Sequence, residues 1–275
     1  MMAAGGVDHS IFTIVIPTYN EVGNVGNMVR ELSLLYPGAR ITIVDDGSKD
    51  GTVEAVQSMQ RSQLGLDLIQ RDPSDRGLTA SVMDGIMTVG TECFVVMDCD
   101  FQHPPKHVGA LMALVADGTD LAIGVREGMG PLSFGRRIAS SGANKLASVY
   151  LWSRRRPSSR DLMSGFFAGR TSLAKEIIAS HGKDFEKRGF KVLFDLLKFM
   201  PRDAKVVDSP YKFGDRASGA SKLSSDIVLT VLRQCGLGGK VASGALHFFL
   251  INKAGRAVGF VILAAIFAIV ISFAA

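Results

Sequence analysis

Cysteine is scarce: the 275-residue chain has three, Cys93, Cys99 and Cys235. They are too few and too scattered for a disulfide framework or a zinc site, and a reduced, cytoplasm-facing body fits them best. Tryptophan occurs once and tyrosine four times. Aromatic platforms are therefore few and the basic residues scattered, which argues against a nucleic-acid binder. Only 21% of residues are charged against 47% hydrophobic, which excludes a disordered or low-complexity protein. No G-x-G-x-x-G follows the first predicted strand, so a dinucleotide fold is disfavoured. The chain also lacks G-x-x-x-x-G-K-[ST] and G-x-S-x-G, which argues against P-loop and serine-hydrolase chemistry. His103 and His107 are four apart, but Pro104-Pro105 lies between them. A helical pair of metal ligands is not expected there, and both are read as ordinary residues. The N-terminus offers no secretory signal, since Ile11–Pro17 is a short apolar run between polar residues. No internal repeat is visible.

What is present is an alternation of short β-rich runs and helical patterns. Strands are predicted at Phe12–Pro17, Arg40–Asp45, Asp67–Arg71, Cys93–Asp98 and Leu121–Val125. Helices are predicted at Val22–Leu35, Thr52–Arg61, Gly77–Val89 and Pro105–Ala116, the last opened by prolines suited to a first turn. This order signals βαβ units on a parallel sheet, an α/β fold. Beyond residue 130 the pattern loosens into a helix at Gly135–Arg155, a strand at Gly165–Gly169, a helix at Lys191–Met200 and a strand at Lys205–Phe213. A polar loop, Gly214–Ser221, then precedes a helix at Lys222–Leu237.

Ligands of such sheets sit at the carboxyl ends of the strands. Three segments fall there: Pro17-Thr-Tyr-Asn-Glu21, Asp45-Asp46-Gly47-Ser48 and Asp98-Cys99-Asp100. The run Asp98-Cys-Asp-Phe-Gln102 sets three oxygen donors at alternate positions, which suits Mg²⁺ or Mn²⁺ held together with substrate phosphates. The net charge of +5 points toward anionic partners. Arg216 and Lys222, on the loop after the last predicted strand, suit either phosphate contacts or a solvated connector.

From Ala257 to Ala275 the chain reads AVGFVILAAIFAIVISFAA, without a charge. At about 1.5 Å per residue this helix would extend about 28 Å, near the hydrocarbon thickness of a bilayer. Lys253 and Arg256 precede it, so the positive-inside tendency keeps the body on the cytoplasmic side. A single C-terminal anchor is expected, with a buried core helix as the alternative.

VIPTYNE (Val15–Glu21), IVDDGSKDGT (Ile43–Thr52), VVMDCDFQHPP (Val95–Pro105), SGFF (Ser164–Phe167) and YKFGDRASGASKL (Tyr211–Leu223) occur in that order. Together they resemble the polyprenyl-phosphate (dolichyl-phosphate) mannosyltransferases, inverting family 2 glycosyltransferases of GT-A fold. The resemblance implies transfer of mannose from GDP-mannose to a polyprenyl or dolichyl monophosphate. It assigns Pro17, Tyr19, Glu21, Val44 and Asp46 to the guanosine, and Asp98, Cys99 and Asp100 to the ribose and phosphates. Asp98, Asp100 and Gln102 would surround the Mg²⁺ or Mn²⁺. Arg126, Arg216 and Lys222 would contact the diphosphate, and Arg136 and Arg137 the acceptor's phosphate. Asp100, Arg126, Arg216 and Lys222 are the catalytic candidates. Cys99 stands where the family commonly has alanine; both are small. The organisation implied is a GT-A catalytic domain over 1–237, an amphipathic interfacial linker over 238–256 and a transmembrane anchor over 257–275. That puts the protein at the endoplasmic reticulum of a eukaryote or the plasma membrane of a prokaryote. Two alternatives remain open at this point: a transferase using another nucleotide sugar such as UDP-glucose, and a non-catalytic membrane-anchored nucleotide-sugar-binding subunit.

Overall fold

Strand β1 (Phe12–Thr18) is buried along its whole length and forms the middle of the sheet. The β-branched run Thr13-Ile-Val-Ile16 suits a strand covered on both faces, where no polar alternation is needed. The computed structural model describes residues 6–127, 134–186, 192–214 and 234, with only the backbone described over 134–143. Within these, seven strands form one sheet in the order β3-β2-β1-β4-β6-β5-β7. The others are β2 (Arg40–Asp45), β3 (Leu66–Gln70), β4 (Cys93–Val96), β5 (Leu121–Glu127), β6 (Phe167–Arg170) and β7 (Val206–Lys212). β1 pairs in parallel with β2, setting Pro17 beside Val44, and with β4, setting Ile14 beside Val95. β6 runs antiparallel to both β4 and β5. The chain moves outward through β2 and β3, then returns to place β4 on the other side of β1. That reversal is the switch point at which an open α/β sheet leaves a crevice.

The helices are α1 (Val22–Leu35), α2 (Thr52–Gln60), α3 (Leu78–Thr88), α4 (Val108–Ala116), α5 (Phe134–Ser153), α6 (Thr171–His181) and α7 (Val192–Phe199). One face of the sheet carries Ile14, Ile16, Ile41 and Ile43 against Val25, Met28 and Leu32 of α1 and Leu111 and Met112 of α4. The other carries Val15, Val44, Phe94 and Phe167 against Val82 and Ile86 of α3, Ile177 of α6 and Leu193 and Leu197 of α7. Helix α3 lies close over β1 and β2 because residue 85 is glycine. A Cβ there would come within 2.5 Å of Val15 Cγ1 and 2.9 Å of Val44 Cγ2.

Three features differ from the sequence expectation. β4 ends at Val96 rather than Asp98, and the predicted helix from Pro105 opens as a 3₁₀ turn over Pro105–His107 before α4. The turn is closed by the His107 N–H, which donates to the Pro104 carbonyl three residues back at 2.9 Å. The third is helix α6, which the sequence expectation lacks: its cap residue, Arg170, makes no side-chain capping bond. Helix α7 holds a buried ion pair, with Lys198 Nζ 2.7 Å from Asp195 Oδ1. Gln234 joins this node, donating from Nε2 to Asp195 Oδ2 at 2.6 Å while its backbone carbonyl accepts from Lys198 Nζ at 2.9 Å. The apolar segment 257–275 lies outside the described residues. Among the described residues, no helix is long and apolar enough to cross a membrane.

Candidate active site

The loops after β1 and β2 are stitched together before any ligand is considered. Asn20 adopts a left-handed φ of 54°, which asparagine tolerates better than most side chains. Its N–H donates to Ser48 Oγ at 2.8 Å, and its Oδ1 accepts from the Lys49 N–H at 2.9 Å. The Glu21 N–H donates to Thr52 Oγ1 at 2.9 Å, and Asn24 Nδ2 donates to Glu21 Oε2 at 2.7 Å. Asp45 is spent on structure, accepting from Thr18 Oγ1 at 3.1 Å and from the Ser48 N–H at 2.8 Å. Asp46 turns the other way. Its Oδ1 accepts from Arg71 and its Oδ2 from the Gly77 N–H at 3.0 Å. Arg71 also donates to Asp84 at 2.6 Å. Burial alone would lower the Arg71 pKa, but Asp84 and Asp46 outweigh it and hold the guanidinium charged.

Past β4 the chain turns sharply. Asp98 is 40% exposed at its side chain, whereas Asp100 is only 4% exposed and its Oδ1 accepts from the Gln102 N–H at 3.1 Å. Phe101 between them has a φ of 66°. Gly165, in the SGFF segment, keeps the flank of Asp98 open, because a Cβ there would lie 3.6 and 3.7 Å from its two carboxylate oxygens. Below this turn sits His103, stacked on Phe166 with ring centroids 5.0 Å apart. Its Nδ1 accepts from the Asp98 N–H at 3.0 Å. That bond requires an unprotonated Nδ1, and burial lowers the His103 pKa to about 4. The 3.6 Å approach of Asp98 Oδ2 is therefore not an ion pair at neutral pH. Burial likewise pushes the Cys99 thiol well above its ordinary value, helped by the charges of Glu21, Asp100 and Asp98. It is no nucleophile.

Arg126 lies one residue before the end of β5, on the same edge. Asp161 grips it with two bonds, from Nε at 2.8 Å and Nη2 at 3.2 Å, and its guanidinium lies 5.4 Å from the Phe213 ring. Burial would lower its pKa, but Asp161 more than compensates. The chain after β7 returns to the acidic turn, where the Gly214 N–H donates to Gln102 O at 3.0 Å. A Cβ on Gly214 would lie 3.0 Å from the Phe101 carbonyl, so the approach needs glycine.

The ends of β1, β2, β4 and β5 thus carry Pro17, Tyr19, Glu21, Val44, Asp46, Asp98, Cys99, Asp100, Gln102 and Arg126 to one edge. Arg136 and Arg137 fall in the first turn of α5, but their side chains lie outside the described residues, as do Arg216 and Lys222. Sequence reading missed Arg71, Arg76 and Asp161. Arg71 follows β3 directly, where the strand-end rule could have found it; the sequence expectation had placed it inside the strand. Asp161 lies 35 positions from its partner and carries no sequence signal. The donor set at the acidic turn fits a hard divalent cation. Two carboxylates and an amide suit Mg²⁺ or Mn²⁺ completed by substrate phosphates. Among the described residues no group of three His, Cys, Asp or Glu side chains forms a cage by itself. A cleft of about 320 Å³ lined by Asp120, Leu173, Glu176 and Asp203 opens beside the start of β5, away from this edge. Its acidic lining disfavours phosphates.

Carboxylates and an anchored arginine gathered at the switch point of a mostly parallel sheet are the arrangement of the GT-A class. The chain belongs to glycosyl transferase family 2, whose model matches residues 13–178. It is 34% identical over 230 residues to a dolichol-phosphate mannosyltransferase of Pyrococcus furiosus, covering 80% of this chain and 61% of that protein. It is 32% identical over 238 residues to a dolichol-phosphate mannosyltransferase of Mycosarcoma maydis, covering 81% of this chain and 76% of that one. The chain thus spans less than two thirds of the length of the first relative. Among solved structures it is similar to glucosyl-3-phosphoglycerate synthase from Mycobacterium tuberculosis in complex with Mn²⁺, UDP and phosphoglyceric acid. The TM-score is 0.58 at 19% identity, covering 82% of this chain and 78% of that one, which establishes the GT-A fold.

Proposed function

We propose that this chain transfers mannose from GDP-mannose to a polyprenyl or dolichyl monophosphate, with inversion, giving polyprenyl-phosphate mannose and GDP. The observation that carries this reading is one sheet edge bearing Tyr19, Glu21, Asp46, Asp98, Asp100 and Arg126, in a chain similar over four-fifths of its length to dolichol-phosphate mannosyltransferases. On this reading Pro17, Tyr19, Glu21, Val44 and Asp46 hold the guanosine, and Asp98, Cys99 and Asp100 lie along the ribose and phosphates. Arg126, Arg216 and Lys222 contact the diphosphate, and Arg136 and Arg137 meet the acceptor phosphate. An oxygen of the acceptor phosphate attacks C1 of the sugar as the bond from C1 to the diphosphate breaks, and that electron pair leaves on GDP.

A phosphate monoester has a second pKa of about 6, so the acceptor is largely a dianion at pH 7 and needs no strong general base. The buried, neutral His103 and the raised Cys99 thiol are consistent with a site that moves no proton in the transfer. The task left to the side chains is to hold two anionic groups together and stabilise the leaving diphosphate. Asp161 fixes the direction in which Arg126 presents its charge. Mg²⁺ or Mn²⁺ at Asp98, Asp100 and Gln102 would supply further neutralisation of the departing diphosphate. Residues 1–237 form the catalytic domain in this proposal, 238–256 the interfacial linker and 257–275 the anchor that keeps the body on the cytoplasmic side of its membrane. Incubation with labelled GDP-mannose, Mn²⁺ and a polyprenyl phosphate should carry label into the organic phase. Label transferred from UDP-glucose but not from GDP-mannose would overturn the donor assignment.

A further inference from the structure

We propose that Arg76 reads the base of the nucleotide donor. Together with Asp46 it selects a base that sets a ring carbonyl beside a ring N–H, as guanine and uracil do, over an amino base such as adenine. The inference rests on the nucleotide-sugar reading above and names the group that decides which base is accepted.

Arg76 precedes Gly77, the cap residue of α3, in the connection between β3 and α3. Its guanidinium lies 4.5 Å over the Tyr19 ring. Nη1 donates to Tyr19 Oη at 3.0 Å and Nη2 to the Gly47 carbonyl at 2.8 Å. Gly47 has a φ of 82°, and a Cβ there would stand 3.2 Å from Arg76 Nη2, so glycine is what lets the guanidinium settle between the two loops. The Nε–H is buried and has no acceptor among the described residues. A buried donor without an acceptor is costly, and an arginine serving only as a clamp would be expected to satisfy it. Among the described residues the charge of Arg76 is not spent on a carboxylate either. The nearby acid, Asp46, accepts instead from Arg71 and from the N–H of Gly77. Nη1 and Nη2 each make one of the bonds above and keep a second N–H, so an oriented donor group is held with capacity to spare at the edge where β1 and β2 end.

Asp46 supplies the complementary polarity. Its Oδ2 accepts from the residue that follows Arg76, so carboxylate and guanidinium flank one turn of chain. Each carboxylate oxygen has two lone pairs, which leaves acceptor capacity beyond the two bonds already made. Guanine offers O6 beside N1–H and uracil O4 beside N3–H, an acceptor next to a donor. These match a guanidinium next to a carboxylate. Adenine offers the reverse, turning its amino hydrogens to the guanidinium and a ring lone pair to the carboxylate. Rejection of adenine then comes from two mismatches at once.

The experiment titrates the full chain with GDP, UDP and ADP in the presence of Mn²⁺, for wild type and for Arg76→Met, which keeps an apolar stem over Tyr19. Wild type should bind GDP at least about tenfold more tightly than ADP. In Arg76→Met the affinities for GDP and UDP should fall about tenfold or more, as expected for loss of a charge-assisted bond, with ADP within about twofold of its wild-type value. Arg76→Lys keeps the charge without the planar fork and should retain a smaller preference of the same sign. It carries the comparison if the methionine variant does not hold its fold. Equal losses for GDP and ADP would show a clamp and overturn the proposal, as would an unchanged GDP preference in both variants. Wild type that binds none of the three nucleotides would overturn the donor reading itself, and this inference with it.

Discussion

Asp161 illustrates how one residue outside every motif governs one inside. Its carboxylate neutralises part of the Arg126 charge and also fixes the guanidinium in place. The two effects oppose one another when Asp161 becomes asparagine. Relief of the charge would strengthen attraction for a diphosphate, whereas loss of the two-point grip would let the side chain wander. Arg126 is half-buried and lies against Phe213, so its usefulness depends on direction. Misplacement by about 1 Å costs on the order of 100-fold in such sites. Positioning is expected to win: Asp161→Asn should raise KM for the nucleotide sugar about tenfold with the thermal midpoint nearly unchanged, in steady-state assays. A lowered KM would show that charge relief dominates. Asp100→Ala removes a nearly buried carboxylate of the proposed metal site. If that site contributes several kcal/mol to stabilising the leaving group, turnover should fall at least about 100-fold. Circular dichroism should show the fold retained, and wild-type-like turnover would remove the metal assignment.

At the scale of elements, the packing of α3 on the sheet puts two ordinary rules in competition. Replacing a mid-helix glycine by alanine gains about 1 kcal/mol in helix propensity. At residue 85, however, the added methyl would lie 2.5 Å from Val15 and 2.9 Å from Val44, and β-branched side chains on a strand have little room to rotate. Overpacking of this kind costs about 1–3 kcal/mol, so Gly85→Ala should lower the denaturation midpoint despite the better helix former. A raised midpoint would mean that the helix shifts without cost. Elements such as β2, in this contact, and α1, on the opposite face, were legible beforehand, because they begin and end where hydrophobic periodicity places them. The first β-α-β units advertise themselves by strong β-branched runs and sharp turn residues. The second half does so less. α6 has no capping signal, and β6 runs antiparallel between β4 and β5, an arrangement that no local pattern encodes. The candidate site divides in the same way. Asp46, Asp98 and Asp100 announce themselves as acids at strand ends. Arg76 and Asp161 matter only through partners 57 and 35 positions away, and separations of that kind are set by the fold.

For the whole molecule, the proposed acceptor poses a separate problem, because it would be dissolved in a bilayer. The body carries its own core on both faces of the sheet, and the proposed nucleotide site is built from strand ends within it. Folding and nucleotide binding are therefore expected to proceed without residues 257–275. The proposed acceptor differs, because its phosphate would sit at the membrane surface. A uniform nineteen-residue apolar stretch preceded by Lys253 and Arg256 would convert a three-dimensional search into a local one. Tethering of this sort raises effective concentration into the millimolar range when the geometry is right. Truncation after Asn252 should leave GDP affinity within about twofold by titration, while the rate on polyprenyl phosphate in vesicles falls by at least about tenfold. The same truncated chain should keep most of its rate on a short, water-soluble prenyl phosphate, for which the tether confers no advantage. Equal losses on both acceptors would mean that 253–275 supports the site directly, and undiminished activity in vesicles would mean that the body reaches the membrane without it.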